Sequence, residues 1–441
     1  MKKLLLTLAW AVGAINSGFA ADLYVNNSGQ SGTYTSIQTA LNVASSGDRI
    51  FVSPYGVYSE DLTISKSITI APSVSGSNIV LNGTITFWPE ANDEINLIGV
   101  NGLGCALTTN TITATVNSKA IINVISCVFS TSMNLANSAI IVNSSFSTFQ
   151  SFTLTYGNTI GCTVIGNLVY NDGPNLVLND TNLIIANKIE SRLIYQNDDY
   201  FYRISNNKVR YGININRAVY NSNIKNYITN NWINQDNNAS GSSDGITFWF
   251  QNTSDNFSNV IVIGNVNHVI NHVSTSSYTA HIFYFSGPTG TIVSSSNSPV
   301  MFYNLLLYSQ VTGNGSLNII RQSSNVTGSF TQGYNYAYND GTDLNGYLTI
   351  ENTGRFGFKH LGPDDKQKIS LSNYFSDKNS PSTEYQDLDL SPGDLGVWGG
   401  PYSWDNYWYE SGRSRILHID LPSEIWPGQT VNLKAEAVHT N

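Results

Sequence analysis

Lys188, Lys208 and Trp232 each follow an asparagine, Asn187, Asn207 and Asn231, and those asparagines stand 20 and then 24 residues apart. A chain that coils with that period stacks the three side chains in one outward column. Two ammonium groups beside an indole suit an acidic sugar chain, because the amines meet carboxylates and the ring covers a pyranose face. Taking Asn167 into the same register adds Leu168 to the column, with Val169, Ile189, Val209 and Ile233 turned inward at the next position. Glu190 and Arg210 then face out again, an oppositely charged pair on neighbouring turns. The stretch "YQNDDYFYRISNNKVRYGININRAVY" brings Asp198, Asp199, Arg203 and Arg217 to the same turns. Asp198 and Asp199 would serve as an acid or hold calcium, although neighbours on a strand point to opposite faces. The plainer reading of all these groups is a solvated face carrying a weak surface ion pair.

Two further places have the right residue types. In "ITFWF", Ile246, Phe248 and Phe250 turn inward on a strand and Trp249 turns out, as a second sugar platform. His268 and His272 would share a metal on a helix, but on a strand they lie about 13 Å apart, so no metal is expected there. Asp387, Asp389 and Asp394 flank glycines and are the candidates for calcium. No other cofactor is expected.

These side chains converge only if the backbone repeats. The motif apolar-x-Asn-x-apolar recurs from "IGNLV" at Ile165 through "IANKI", "ISNNKV" and "ITNNWI" to "IGNV" at Ile263, with Cys127 and Ser145 standing earlier where asparagine stands later. Beyond Asn231 the spacing stretches to 34, which implies an inserted loop or a masked turn. A period near 20 to 22 with short strands and small polar corners predicts a solenoid of strands, in which stacked turns share one core. Asparagine tolerates the left-handed backbone of a tight corner and can hydrogen-bond along the stack. The fold predicted is therefore all-β, a parallel β-helix, spanning residues 21–353 after a leader over 1–20, with 354–441 as a closing segment.

One segment breaks the pattern. In "TYTSIQTALNVASSGDRIFVSP", Ile37, Ala40, Leu41 and Ala44 share a helical face, Thr35 and Gln38 form a capping box, and Gly47 supplies a stop. A helix over about 36–44 is expected to lie across the first open end of the solenoid and hide its apolar side chains and strand edges. At the other end Trp398, Trp404, Trp408 and Trp426 crowd together as an aromatic plug, and "RSRILHIDL" and "QTVNLKAEAV" alternate like two strands of a small β-appendage.

The opening stretch, with Ile37-Gln38, Ala40-Leu41, Gly47-Asp48, the strand at Ile50–Val52 and the Pro54…Gly56…Tyr58 turn, resembles the start of right-handed parallel β-helix proteins of the pectin lyase-like superfamily. Tyr55 departs from the pattern, in which proline is followed directly by glycine. The stretch "DLDLSPGDLGVWGGPYSWDNYW" from Asp387 resembles the close of many secreted bacterial β-helix proteins. The resemblance implies a right-handed coil and leaves activity open, since the superfamily holds polysaccharide lyases, hydrolases, epimerases and adhesins without catalysis. For a lyase it implies a cation on the uronate carboxylate and a lysine or arginine as base, which makes Lys188, Lys208, Arg203 and Arg210 the candidates.

The 441 residues carry a formal charge of −9, and losing Lys2 and Lys3 with the leader makes it −11. That balance argues against nucleic acid as a partner. "MKKLLLTLAWAVGAINSGFA" has lysines, an apolar run and small residues at Gly18 and Ala20, the pattern of a secretory signal cleaved after Ala20. The mature chain is expected to be secreted or periplasmic, with no transmembrane segment. Three cysteines, Cys105, Cys127 and Cys162, read as buried thiols. The function expected is binding or organising a polysaccharide or cell-surface glycan through Trp232, Trp249, Lys188 and Lys208. A lyase acting on a uronic-acid polymer and a structural envelope or matrix component are the alternatives.

Overall fold

The computed structural model describes residues 20–90, 92–102, 107–109, 120–130, 133–160, 162–170, 181–196, 201–216, 226–236, 242–249 and 260–270. Beyond these it describes the strands between Tyr278 and Thr349 and the pair Ser414–Asp420 and Lys434–His439. The fold is all-β, with parallel strands stacked as coils and Ile37–Val43 the one helix among the described residues. Contacts divide the chain into two units, Met1–Phe129 and Ser130–Asn441.

In the first unit, strands Asp22–Val25, Arg49–Val52, Ile68–Pro72, Glu94–Ile98 and Ile121–Ile125 lie parallel, each over the last. Ile50, Ile70, Leu97 and Val124 fall in register, with steps of 20, 27 and 27 residues, and all four are buried. Alternation with period two explains the pattern: Ile95 and Leu97 face in, while Asn96 between them faces out. Outside, Asn123 Nδ2 donates to Asn96 Oδ1 at 2.8 Å, and Asn96 Nδ2 to Thr69 Oγ1 at 3.3 Å.

The helix buries Ile37, Ala40 and Leu41, the expected face. Its ends are made differently from the expectation. Ser36, not Thr35, is the N-cap and accepts from Thr39 N at 3.2 Å. The acid that completes the cap comes from the next turn. Glu60 accepts from Ser36 Oγ at 2.7 Å, from Ile37 N at 2.8 Å and from Gln38 N at 2.9 Å. Gln38 is thus free of capping duty, and its Oε1 accepts from Thr63 N at 2.8 Å. The helix ends at Ala44, before Gly47, and Lys66 Nζ donates to the carbonyls of Ala44 at 2.7 Å and Leu41 at 3.2 Å. An anion at the start and a cation at the end each oppose the helix dipole correctly.

In the second unit, strands Thr181–Ile185, Phe201–Ser205, Asn226–Thr229 and Val260–Ile263 stack in parallel, with Ile184, Ile204, Ile228 and Val262 buried in one column. The expected register holds for three asparagines. Lys188 lies over Lys208 and Lys208 over Trp232, so Asn187, Asn207 and Asn231 stack, and Asn265 follows at the 34-residue step. Trp232 and Val266 pair directly, so that step is one turn with extra chain inserted. Asn167 does not belong to the column. Its strand neighbour is Ser151, and Cys162 holds the corner position instead, its amide donating to Asn187 Oδ1 at 3.0 Å. Val164 accordingly takes the inward place expected for Val169, with Ile189, Val209 and Ile233 as expected. Ser144, rather than Ser145, aligns with Cys162.

At each corner the two tasks assigned to asparagine are split between neighbours. Ala186, Asn206, Asn230 and Gly264 carry the left-handed backbone, at φ of 56°, 59°, 53° and 66°. The residue after each one carries the hydrogen bonds. Cys127 and Cys162 are buried thiols as expected, whereas Cys105 lies outside the described residues. The strands Ser414–Asp420 and Lys434–His439 pair antiparallel, as the alternation there predicts. Trp398, Trp404, Trp408 and Trp426 lie outside the described residues.

Candidate functional site

The column expected to carry chemistry changes character along its length. Lys188 is exposed, Lys208 is half-buried and Trp232 is 1% exposed. Trp232 is therefore no platform for a sugar. Its register partner Val266 is also fully buried, so at this height the outward position is covered, and an apolar ring gains by lying there. Lys188 Nζ meets Glu190 Oε1 of its own turn at 2.8 Å, so Glu190 is not the partner of Arg210. The Arg210 guanidinium sits 5.1 Å from the ring of Tyr211. Arg203 stands on Phe201–Ser205, across the Asn206-Asn207 corner from Lys208, with its guanidinium 5.1 Å from the Tyr227 ring. The cationic candidates thus share neighbouring turns without converging on one point. Asp198, Asp199, Arg217, Asp387, Asp389 and Asp394 lie outside the described residues, as does His272, while His268 is on the strand Val266–Ile270. Among the described residues no cluster of three metal-ligating side chains occurs.

Trp249 turns outward, as the alternation predicts. Ile246 and Phe248 are fully buried, while Thr247 is half-buried and Trp249 is 41% exposed. Phe250 lies outside the described residues. The strand Ile213–Asn216 lies parallel beside Ser242–Trp249, with Asn214 in register with Thr247 and Asn216 with Trp249. Ile213 and Ile215 are buried, so Asn214 and Asn216 are turned out by the same alternation. Four side chains, two amides, a hydroxyl and an indole, therefore share one outward patch at strand spacing, about 4.8 Å between rows. Sequence reasoning passed over the two asparagines, although the alternation "ININ" places both on the outer face.

The use made of asparagine separates this patch from the corners. Asn187, Asn207, Asn231 and Asn265 are buried and spend their amides on the fold. Each Nδ2 donates to a carbonyl of the turn before, and those of Asn187, Asn207 and Asn231 also donate to the next asparagine at 2.9 Å. Asn214 and Asn216 make no side-chain hydrogen bond among the described residues. Each half-buried carboxamide keeps one acceptor and two donors for an outside partner. The inward face of the same turns is polar in one place. Asn182 Nδ2 donates to Tyr195 Oη at 2.8 Å, and the rings of Tyr195 and Tyr202 lie 4.6 Å apart. Burial, with Tyr195 beside it, pushes the Tyr202 phenol well above the usual tyrosine range.

No family model, curated protein or solved structure matches the chain. Among the described residues no helix is long and apolar enough to cross a membrane.

Proposed function

We propose that this chain is an exported β-solenoid that binds or organises a polysaccharide or cell-surface glycan, without catalysis, through the outward patch of Asn214, Asn216, Thr247 and Trp249. The observation that carries the reading is the contrast in amide use: the corner asparagines Asn187, Asn207 and Asn231 spend their carboxamides on the fold, and the two beside an exposed indole make no side-chain hydrogen bond among the described residues. An indole face covers the C–H face of a pyranose, while flanking carboxamides match the hydroxyls at its rim. The opening motif supports membership of the pectin lyase-like superfamily and, with the leader, a bacterial exported protein.

The four side chains of the patch carry no charge, which suits a neutral or weakly acidic chain held along the strands. Against a lyase stands the arrangement of the cations: Lys188 is engaged by Glu190, and Arg203 lies across a corner from Lys208.

A glycan array probed with the wild-type chain, Trp249→Ala and Asn216→Ala tests the proposal. Binding by the wild type, weakened roughly tenfold by Trp249→Ala, is the expected result. No binding by the wild type, with self-association in sedimentation, would establish the structural-component reading instead. Release of an unsaturated uronate from pectate, alginate or a glycosaminoglycan would establish the lyase.

A further inference from the structure

Asp48 is a carboxylate withdrawn from water, 7% exposed, and its two oxygens are held by backbone amides. Ala21 N donates to Oδ1 at 2.7 Å and Ser45 N to Oδ2 at 2.7 Å. Among the described residues no cation lies within ion-pair distance of it. Withdrawing a negative charge among neutral donors alone is costly, and a cation at one of these positions would relieve it.

The donor on Oδ1 is unusual in its place along the chain. Ala20 and Ala21 are exposed. The parallel ladder starts immediately after them, with Arg49 N donating to Ala21 O at 2.9 Å and Asp22 in register with Arg49. Gly18 and Ala20 are the small residues that a leader peptidase reads before its scissile bond.

We propose that the Ala20–Ala21 peptide bond is a processing site and that Asp48 is the receptor for the α-ammonium group which cleavage creates. An endopeptidase of the leader-processing class adds water across that amide. The C–N bond breaks, the Ala20 carbonyl carbon takes the hydroxyl and leaves as a carboxylate, and the Ala21 nitrogen takes the protons. The nitrogen already hydrogen-bonded to Asp48 thereby acquires a positive charge without moving. Processing thus completes an ion pair just past the C-cap of the helix, where Ser45 N binds the other oxygen. This inference rests on the proposed exported leader and is independent of the glycan reading.

The charged groups nearby leave the pair to itself. Asp22 and Arg49 satisfy each other at 2.7 Å, Lys66 is engaged by the carbonyls of Leu41 and Ala44, and Glu60 holds the far end of the helix. The carboxylate raises the folded-state pKa of the α-amine above its ordinary value of about 7.7–8.0. The stabilisation is therefore complete below that range and is lost as pH rises through the raised value.

The test is to express the full chain with its leader in a bacterial host and read the N-terminus of the exported product by mass spectrometry. A second chain carries a glycine inserted between Ala20 and Ala21. Cleavage after Ala20 then leaves the ammonium about 3.5 Å further out, while the Ala21 N–H stays on Asp48. The expected product begins at Ala21 and melts several degrees above the insertion chain near neutral pH, with the gap closing above about pH 10. Asp48→Asn abolishes the gap. Should that variant fail to fold, the α-amine titration of the wild-type product, raised about one pH unit over that of the insertion chain, decides in its place. A product beginning at another residue, equal melting of the two chains at every pH, or an unshifted α-amine would each overturn the proposal.

Discussion

The carboxamide of Asn207 donates through Nδ2 to Oδ1 of Asn231, 2.9 Å away, and that same oxygen accepts the Asn207 backbone amide at 3.0 Å. One side-chain oxygen therefore serves both hydrogens of the residue beneath it. The pattern repeats between Asn187 and Asn207 and between Asn231 and Asn265, so each corner is tied to the next by side chain and backbone together.

Asn207→Ala removes a link from both sides. It takes the Asn207 Nδ2 donor from the buried Ile184 carbonyl and the Asn207 Oδ1 acceptor from the buried Asn187 amide. Each such group costs about 1–3 kcal/mol, so a total near 3 kcal/mol is expected. Urea unfolding followed by circular dichroism should show a lower midpoint with an unchanged slope. A midpoint within error of the wild type would mean that the ladder contributes nothing.

Ala186→Gly acts on the other half of the corner. Ala186 stands at φ 56°, a region costing a residue with a Cβ about 1–2 kcal/mol, whereas Gly264 meets the same need without one. Part of that gain is offset by the greater freedom of glycine in the unfolded chain. A net stabilisation of about 0.5–1 kcal/mol is expected in the same unfolding experiment. A loss of stability would show that Ala186 is not strained.

Legibility in the sequence followed the insertions. The Asn187, Asn207 and Asn231 register could be read because those turns are 20 and 24 residues long and share a motif. Asn167 misled because "IGNLV" imitates the motif five residues past the true corner, where Cys162 offers no amide to recognise. The burial of Trp232 was not legible, since alternation on one strand says which way a side chain points and not whether that position is covered. Asn214 and Asn216 are legible from alternation, which turns both outward, but carry no charge to mark them out. The Glu60 cap, 24 residues from Ser36, is a contact between turns that no local pattern announces.

Tyr202→Phe tests the buried polar column. The Tyr202 hydroxyl is fully buried and makes no hydrogen bond among the described residues. Removing it is expected to stabilise the chain by about 1 kcal/mol at neutral pH. The sign at high pH follows from the raised phenol. The folded state keeps its proton while the unfolded state loses one, so the stabilising preference present below about pH 10 is lost as pH rises. Thermal melts of wild type and variant across alkaline pH should therefore diverge, with the variant falling less. Parallel curves would contradict the assignment.

The two tryptophans carry opposite predictions, and together they test the central claim. Trp232→Ala empties a fully buried site and is expected to cost about 3–5 kcal/mol of stability. Trp249→Ala removes an exposed ring and should leave stability within about 0.5 kcal/mol. The decisive measurement is mobility in native gels cast with the polysaccharide bound most strongly on the array, run for wild type and Trp249→Ala side by side. Retardation of the wild type that is largely lost in Trp249→Ala, with both chains melting together, is the predicted result. Equal retardation of the two chains would contradict it.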